Sequence, residues 1–187
     1  MKPIITFISI LFTSLLSSPS WSETLTMDDL VERDGLFYKK FTNTPFTGDV
    51  ASTESGNFIN GKRIGEWLTF HENGQLEEIG NFEDGNKDGS WTTYHLNGQL
   101  RSKGNYKYDK MDGFWEFYYK NGQLSNKGNY DNGEREDGHW EFYYGNGQLW
   151  SRGNYKDGKM DGFWYSYNED GLVDKWTGVY RKDVKQY

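Results

Sequence analysis

The stretch Gly113-Phe114-Trp115-Glu116-Phe117-Tyr118-Tyr119-Lys120-Asn121-Gly122-Gln123-Leu124 decides the fold. Asn-Gly between aromatic-rich runs signals a β-hairpin, because both central residues of a type I′ turn need φ > 0. The stretch recurs. Trp67, Trp91, Trp115, Trp140 and Trp164 stand 24, 24, 25 and 24 residues apart. The first four are followed by Asn-Gly-Gln-Leu at 73–76, 97–100, 121–124 and 146–149, and the fifth copy degenerates to Asp170-Gly171-Leu172-Val173. A third element, Gly-Asn-aromatic, begins at Gly80, Gly104, Gly128 and Gly153, with an isolated early copy at Gly56-Asn57-Phe58. Three motifs in one phase at this period mark a repeat architecture.

A two-residue turn sets the register arithmetically, placing Trp67 opposite Gly80, Trp91 opposite Gly104, Trp115 opposite Gly128 and Trp140 opposite Gly153. Each indole is expected to cover the Gly it faces. Alternation puts Trp115, Tyr119, Leu124, Tyr130 and their equivalents on one face, expected to be the packed one. The other face carries Phe70, Tyr94, Tyr118, Tyr143 and Tyr167, with the cross-strand pairs Glu116–Lys127 and Glu141–Arg152. The expected fold is all-β: an elongated single-layer antiparallel sheet of hairpins about 24 residues each, roughly 50 Å long. A short N-terminal helix within 26–32, with Met27, Leu30 and Val31 on one side, is expected to cap one end. The charged run Arg181-Lys182-Asp183-Val184-Lys185 is expected to cap the other. The chain divides into a signal peptide (1–22), an N-terminal cap with an incomplete first repeat (23–64), five hairpin repeats (65–180) and a C-terminal tail (181–187).

Composition narrows the function classes. The 187 residues hold 21 Lys or Arg against 28 Asp or Glu, a net charge of −7, and no cysteine. Disulfides, zinc-thiolate sites and cysteine nucleophiles are excluded. The acidic balance argues against nucleic acid or an anionic membrane as partner. Lys2, the apolar run from Ile4 to Leu16, Pro19 and Ser20-Trp21-Ser22 read as an export signal cleaved before Glu23. An uncleaved anchor is the alternative, but the apolar run falls short of the about 20 residues of a membrane span. The mature protein is expected in the periplasm or outside the cell, without stable membrane insertion.

Catalysis requires a unique constellation, and these residues recur as equivalents. His71 and His95 occupy the slot that Tyr119 and Tyr144 fill in later repeats, a half-buried aromatic position. His139 stands where Glu66, Ser90, Phe114 and Phe163 stand in the other copies. The Asp-Gly loops at Asp84, Asp88, Asp157 and Asp161 lack calcium-ligand spacing and read as turns. No enzyme activity, cofactor or metal is expected. The candidate partner-binding residues are the column Phe70, Tyr94, Tyr118, Tyr143 and Tyr167, together with Trp150. The column reads equally as recognition surface or as packing that stiffens the sheet. Trp150 follows Leu149 where Glu77, Arg101 and Ser125 stand in sister repeats, and Trp176 also falls outside the Trp column.

The motif Gly-x-Trp-x-x-aromatic-x-x-Asn-Gly-Gln-Leu resembles the bacterial MORN-variant repeat. The lead-in Asp34-Gly35-Leu36-Phe37-Tyr38 with Pro45-Phe46-Thr47-Gly48 resembles the entry segment of YwqK-type antitoxin proteins. The resemblance implies a protein-binding platform, with toxin neutralisation as its sharper form. The rival class is a cell-envelope scaffold binding lipid or wall components.

Overall fold

A computed structural model describes residues 25–186, so the expected export signal lies outside the described residues. The architecture follows from two kinds of turn. Each repeat ends in a two-residue connection with both residues at positive φ, as in Asn60-Gly61 (49°, 79°), Asp84-Gly85 (51°, 90°) and Asp157-Gly158 (52°, 71°). These are the type I′ turns, whose twist matches that of paired strands. They sit at the repeat junctions. At Asn-Gly-Gln-Leu the expectation of a type I′ turn fails, because of that segment only the Gly has positive φ, 84° at Gly122. The Gly122 N–H donates to the Tyr119 carbonyl at 2.9 Å and the Tyr119 N–H to the Gln123 carbonyl at 2.8 Å. This is a three-residue loop, a type I turn closed by a glycine bulge. Asn121 sets it by accepting the Gln123 N–H on its side-chain oxygen at 3.1 Å, an Asx-turn.

A second offset restores the register. The pairing slips between Phe117 and Tyr118, which face Asn126 and Leu124 and leave Ser125 unpaired. The two irregularities cancel, so Trp67↔Gly80, Trp91↔Gly104, Trp115↔Gly128 and Trp140↔Gly153 are all opposed as the sequence predicts. Strand follows strand in chain order, giving a 15-stranded antiparallel sheet from Gly48–Ala51 to Val184–Lys185.

The core is a ladder of aromatic rings along one face. Phe58, Trp67, Phe82, Trp91, Tyr106 and Trp115 meet edge to face at centroid separations of 5.1, 5.7, 5.3, 5.8 and 5.1 Å. Tyr130, Trp140, Tyr155 and Trp164 continue it. Each such contact adds about 0.5–1.5 kcal/mol beyond buried area. The five column indoles are almost wholly buried.

The indole does not cover the Gly it opposes. A Cβ built on Gly128 would stand 2.2 Å from Trp140, not against Trp115, and one on Gly80 would stand 2.1 Å from Trp91. Gly56 lies under Trp67, Gly104 under Trp115 and Gly153 under Trp164 in the same way. Every indole therefore tips onto the preceding repeat. Trp91, Trp115 and Trp164 also donate their Nε1–H to the carbonyls of Asn81, Asn105 and Asn154 at 3.0–3.1 Å. The Trp–Gly match joins repeats where the sequence suggested it closed a single hairpin.

The ends are built differently from expectation. The N-terminal helix is a single 3-10 turn, Met27–Asp29, held by the Thr26 N–H donating to the Asp29 carboxylate at 2.8 Å. Leu30–Arg33 then leaves as a strand and pairs with Leu36–Lys39 through the turn Asp34-Gly35. That type I′ turn, with a β-branched residue at Val31, favours a hairpin over a second helical turn. Phe37 and Phe46 pack on Phe58 at 5.0 and 5.6 Å and close the ladder. At the other end, the strand Lys159–Ser166 finds its partner Gly178–Arg181 only after an excursion through 167–177. Val184–Lys185 adds a last short strand, and the Lys185 stem covers Gly178 where a further indole would lie.

Candidate binding surfaces

The face opposite the ladder carries a row of residues at one level of the sheet: Leu68, Ile79, Thr92, Lys103, Glu116, Lys127, Glu141, Arg152 and Tyr165, each opposed to the next. Glu116 does stand opposite Lys127, but its ion pair runs to Lys103 of the preceding hairpin at 2.7 Å. Glu141 likewise pairs with Lys127 at 2.9 Å and not with Arg152. Arg152 instead lies over the Tyr165 ring at 5.1 Å. The expected intra-hairpin pairs are thus replaced by pairs that stitch repeats together. Each carboxylate has a basic neighbour on both flanking strands, and opposed positions alone cannot choose between them.

Phe70, Tyr94, Tyr118, Tyr143 and Tyr167 are all half-buried. The Tyr143 hydroxyl donates to the Glu141 carboxylate, and Tyr118 sits beside Lys103 at 6.0 Å. Partial burial raises the Glu141 carboxyl, but hydrogen bonds from Tyr143, Lys127 and His139 outweigh it and hold the pKa at about 2. The same burial, with the carboxylate acceptor, pushes the Tyr143 hydroxyl above its ordinary value. Beyond the row, Phe163, Tyr165 and Val179 form an exposed cluster; the two rings are 4.8 Å apart, and Val179 is paired with Phe163.

The histidine slot proves to be a bridge between repeats. His71 and His95 place Nε2 3.1 and 2.9 Å from the carbonyls of Tyr94 and Tyr118. Tyr119 and Tyr144 donate their hydroxyls to Tyr143 and Tyr167 carbonyls at 2.8 and 2.9 Å. The neighbouring Asn73, Asn97 and Asn121 do the same with their amides, to Leu96, Lys120 and Gly145, at 2.9, 2.8 and 2.6 Å. Among the described residues no group of His, Cys, Asp and Glu is placed to hold a metal ion.

Trp150 lies on the ladder side, away from the Tyr column, so the sequence-selected candidates do not form one patch. It is the unpaired residue of the bulge between Phe142 and Tyr143. There, 48% exposed, it walls a cleft of about 490 Å³ with Phe142, Tyr155 and Met160. Trp176, 57% exposed on the 167–177 excursion, forms the opposite wall with Trp164 and Tyr180. Buried Ser151 and Ser166 also line it, and so does Arg135. Sequence reasoning singled out Trp150 but missed the cleft, although Ser166 standing where Phe117 and Phe142 stand in earlier copies was the available signal.

Four tandem stretches, 63–84, 87–108, 111–132 and 136–157, match the MORN repeat variant. These units are MORN-variant repeats. Each match starts within the residues that lead into a column Trp and ends at the next junction turn, so one unit corresponds to one hairpin. The MORN-variant stretch stops before Trp164; the fifth hairpin, whose return strand is displaced, lies beyond it. No curated protein matches the chain.

Proposed function

We propose that this MORN-variant repeat protein is a non-enzymatic binding protein that engages another protein through the C-terminal end of its Tyr face. The observation that carries this reading is the distribution of exposed large apolar side chains. Among the described residues, eight of the fifteen, Trp150, Phe163, Tyr165, Leu172, Val173, Trp176, Val179 and Val184, lie at positions 150–186; of these Trp150 and Trp176 line the ladder-face cleft, and Phe163, Tyr165 and Val179 lie on the Tyr face. Concentrated exposed apolar surface marks interaction sites, whereas scattered exposure needs no explanation. On the Tyr face Phe163, Tyr165 and Val179 form an exposed cluster at the end of the ionic row, the two rings on the strand that leads into Tyr167 of the column.

The finer reading is an exported protein with a toxin-neutralising role of the YwqK type. The net charge of −7 supports steering of a basic partner toward the rigid sheet. Affinity capture from native cells tests the binding role. The Phe163→Ser/Tyr165→Ser double variant is expected to stay folded and to lose the captured protein, since central aromatic anchors carry at least about 2 kcal/mol each. Unchanged capture by a folded double variant would place the contact elsewhere. Co-sedimentation with wall fragments or lipid vesicles instead of protein would favour the envelope scaffold. The mass of the mature protein tests export, with cleavage after Ser22 expected.

A further inference from the structure

From the cleft on the ladder face we infer a second site, independent of the Tyr-face contact, that takes a small aromatic carboxylate. Two vacancies point to the two halves of that ligand. The first is apolar. Two residues after their indoles, Phe117 and Phe142 stack on Trp115 and Trp140 at 5.8 and 6.0 Å with interplanar angles of 19° and 20°. The corresponding residue after Trp164 is Ser166, small as Thr69 and Thr93 are in the first two copies; Phe142 of the preceding hairpin reaches this indole at 6.3 Å and 29°, and the cleft opens beside the two rings. Its walls are Phe142, Trp150 and Trp176, and its volume of about 490 Å³ lies within the about 300–1,000 Å³ of small-molecule sites. A flat ring system fills the place of the missing phenyl.

The second vacancy is a carboxylate. Arg63 lies over Trp67 and pairs with Glu54 at 3.1 Å; Lys87 lies over Trp91 and pairs with Glu78 at 3.0 Å. Arg135 lies over Trp140 at 4.8 Å in the same manner and lines the cleft. Nine residues before it, where Glu54 and Glu78 precede their cations, stands Asn126. Among the described residues Arg135 has no carboxylate within ion-pair distance; its guanidinium donates only to the Tyr155 hydroxyl, at 3.0 Å. A ligand carboxylate at Arg135 supplies what the glutamates supply elsewhere. The lining permits an anion: of the ten residues around the cleft Arg135 is the one with a charged side chain, and none is a carboxylate.

The test uses the full mature chain titrated by calorimetry with naphthalene-2-carboxylate and with its neutral amide. The carboxylate is expected to bind about tenfold more tightly than the amide. Three variants borrow residues from sister repeats. Ser166→Phe is expected to abolish binding of both probes by filling the cleft. Trp150→Ser, with the residue found at 125, is expected to weaken both and guards against misfolding of the first variant. Arg135→Met, with the residue type found at 111 and 160, is expected to erase the carboxylate's advantage, bringing the ratio of the two affinities to about one. Equal affinity for the two probes in the wild type overturns the assignment of Arg135. No probe binding at all, or binding that survives in folded Ser166→Phe and Trp150→Ser, overturns the site. Partner capture is read separately, so failure of this site and failure of the Tyr-face contact are distinguishable.

Discussion

The hairpins around Trp67 and Trp91 and those around Trp140 and Trp164 share one backbone plan and one buried indole per unit, yet they differ in what flanks the ring. In the early pair the cation over the indole is neutralised by Glu54 or Glu78, and the residue two beyond the indole is a Thr. In the late pair Arg135 lacks that carboxylate, Phe142 stacks in place of Thr, and Met160 and Ser166 flank Trp164. The frame of Trp, Gly and alternating edge-on rings is common to both, because each unit needs the preceding one to bury its indole. The flanking positions make no such demand. They are free to diverge, and binding chemistry gathers where they have done so.

Disrupting the common frame is expected to have the largest effect. Gly128→Val should cost about 3–5 kcal/mol in denaturant melts, as much as Trp140→Ala. In a double-mutant cycle Gly128→Val should couple strongly with Trp140→Ala and be close to additive with Trp115→Ala. Strong coupling to Trp115 instead would mean that the indole covers its own hairpin. Next comes the loop bridge. Asn121→Ala removes an Asx-turn and a 2.6 Å bond to the next repeat, for about 1–2 kcal/mol. Asn146→Ala, whose bridge to Glu169 is 3.4 Å, should cost visibly less.

The contrast between the early and late cations predicts a smaller difference. Arg63→Met leaves Glu54 unpaired in a half-buried position and should cost about 1 kcal/mol. Arg135→Met leaves no carboxylate behind and should stay within about 0.5 kcal/mol. Equal losses would show that the cation's packing, not its pairing, matters. The smallest effect is the acid response of the ionic row. Glu141 has its folded pKa depressed from 4.5 to about 2, so its contribution is present above 4.5 and is lost as pH falls toward 2. Water screens this half-exposed row, so the stability gap between wild type and Glu141→Gln should be under about 1 kcal/mol at pH 6. It should close by pH 2; a gap that is flat across this window would remove the row from the account.

Much of this was legible in residue order. The Trp period gives the unit, and Trp115 is opposed to Gly128 by simple arithmetic even though the turn is not type I′; alternation gives the faces of Trp115 and Tyr130 but not of Leu124, which the bulge pairs with Tyr118 on the Tyr face. A three-residue loop and the bulge at Ser125 displace the register by equal and opposite steps. The repeat phase shows His71 and Tyr119 to be one slot, but not that both bridge to a carbonyl of the following repeat. Trp150 stands out in the sequence as a departure from its sister positions, whereas a small residue such as Ser166 announces nothing about the space it leaves.

Composition, period and phase by themselves determined an all-β repeat array, a ladder face and the register of every predicted Trp–Gly pair, because a two-fold side-chain period and a short turn leave little freedom within a hairpin. Which glycine lies under an indole, which lysine meets Glu116, and where a cleft opens were decided only by the tertiary structure. Turns join each strand to both neighbours, but turn arithmetic holds only across the Asn-Gly loop, because on the junction side the register shifts, as between Asp112 and Glu116. That side is set by the twist and bulges of the assembled sheet, and a side chain standing between two strands goes to whichever offers contact.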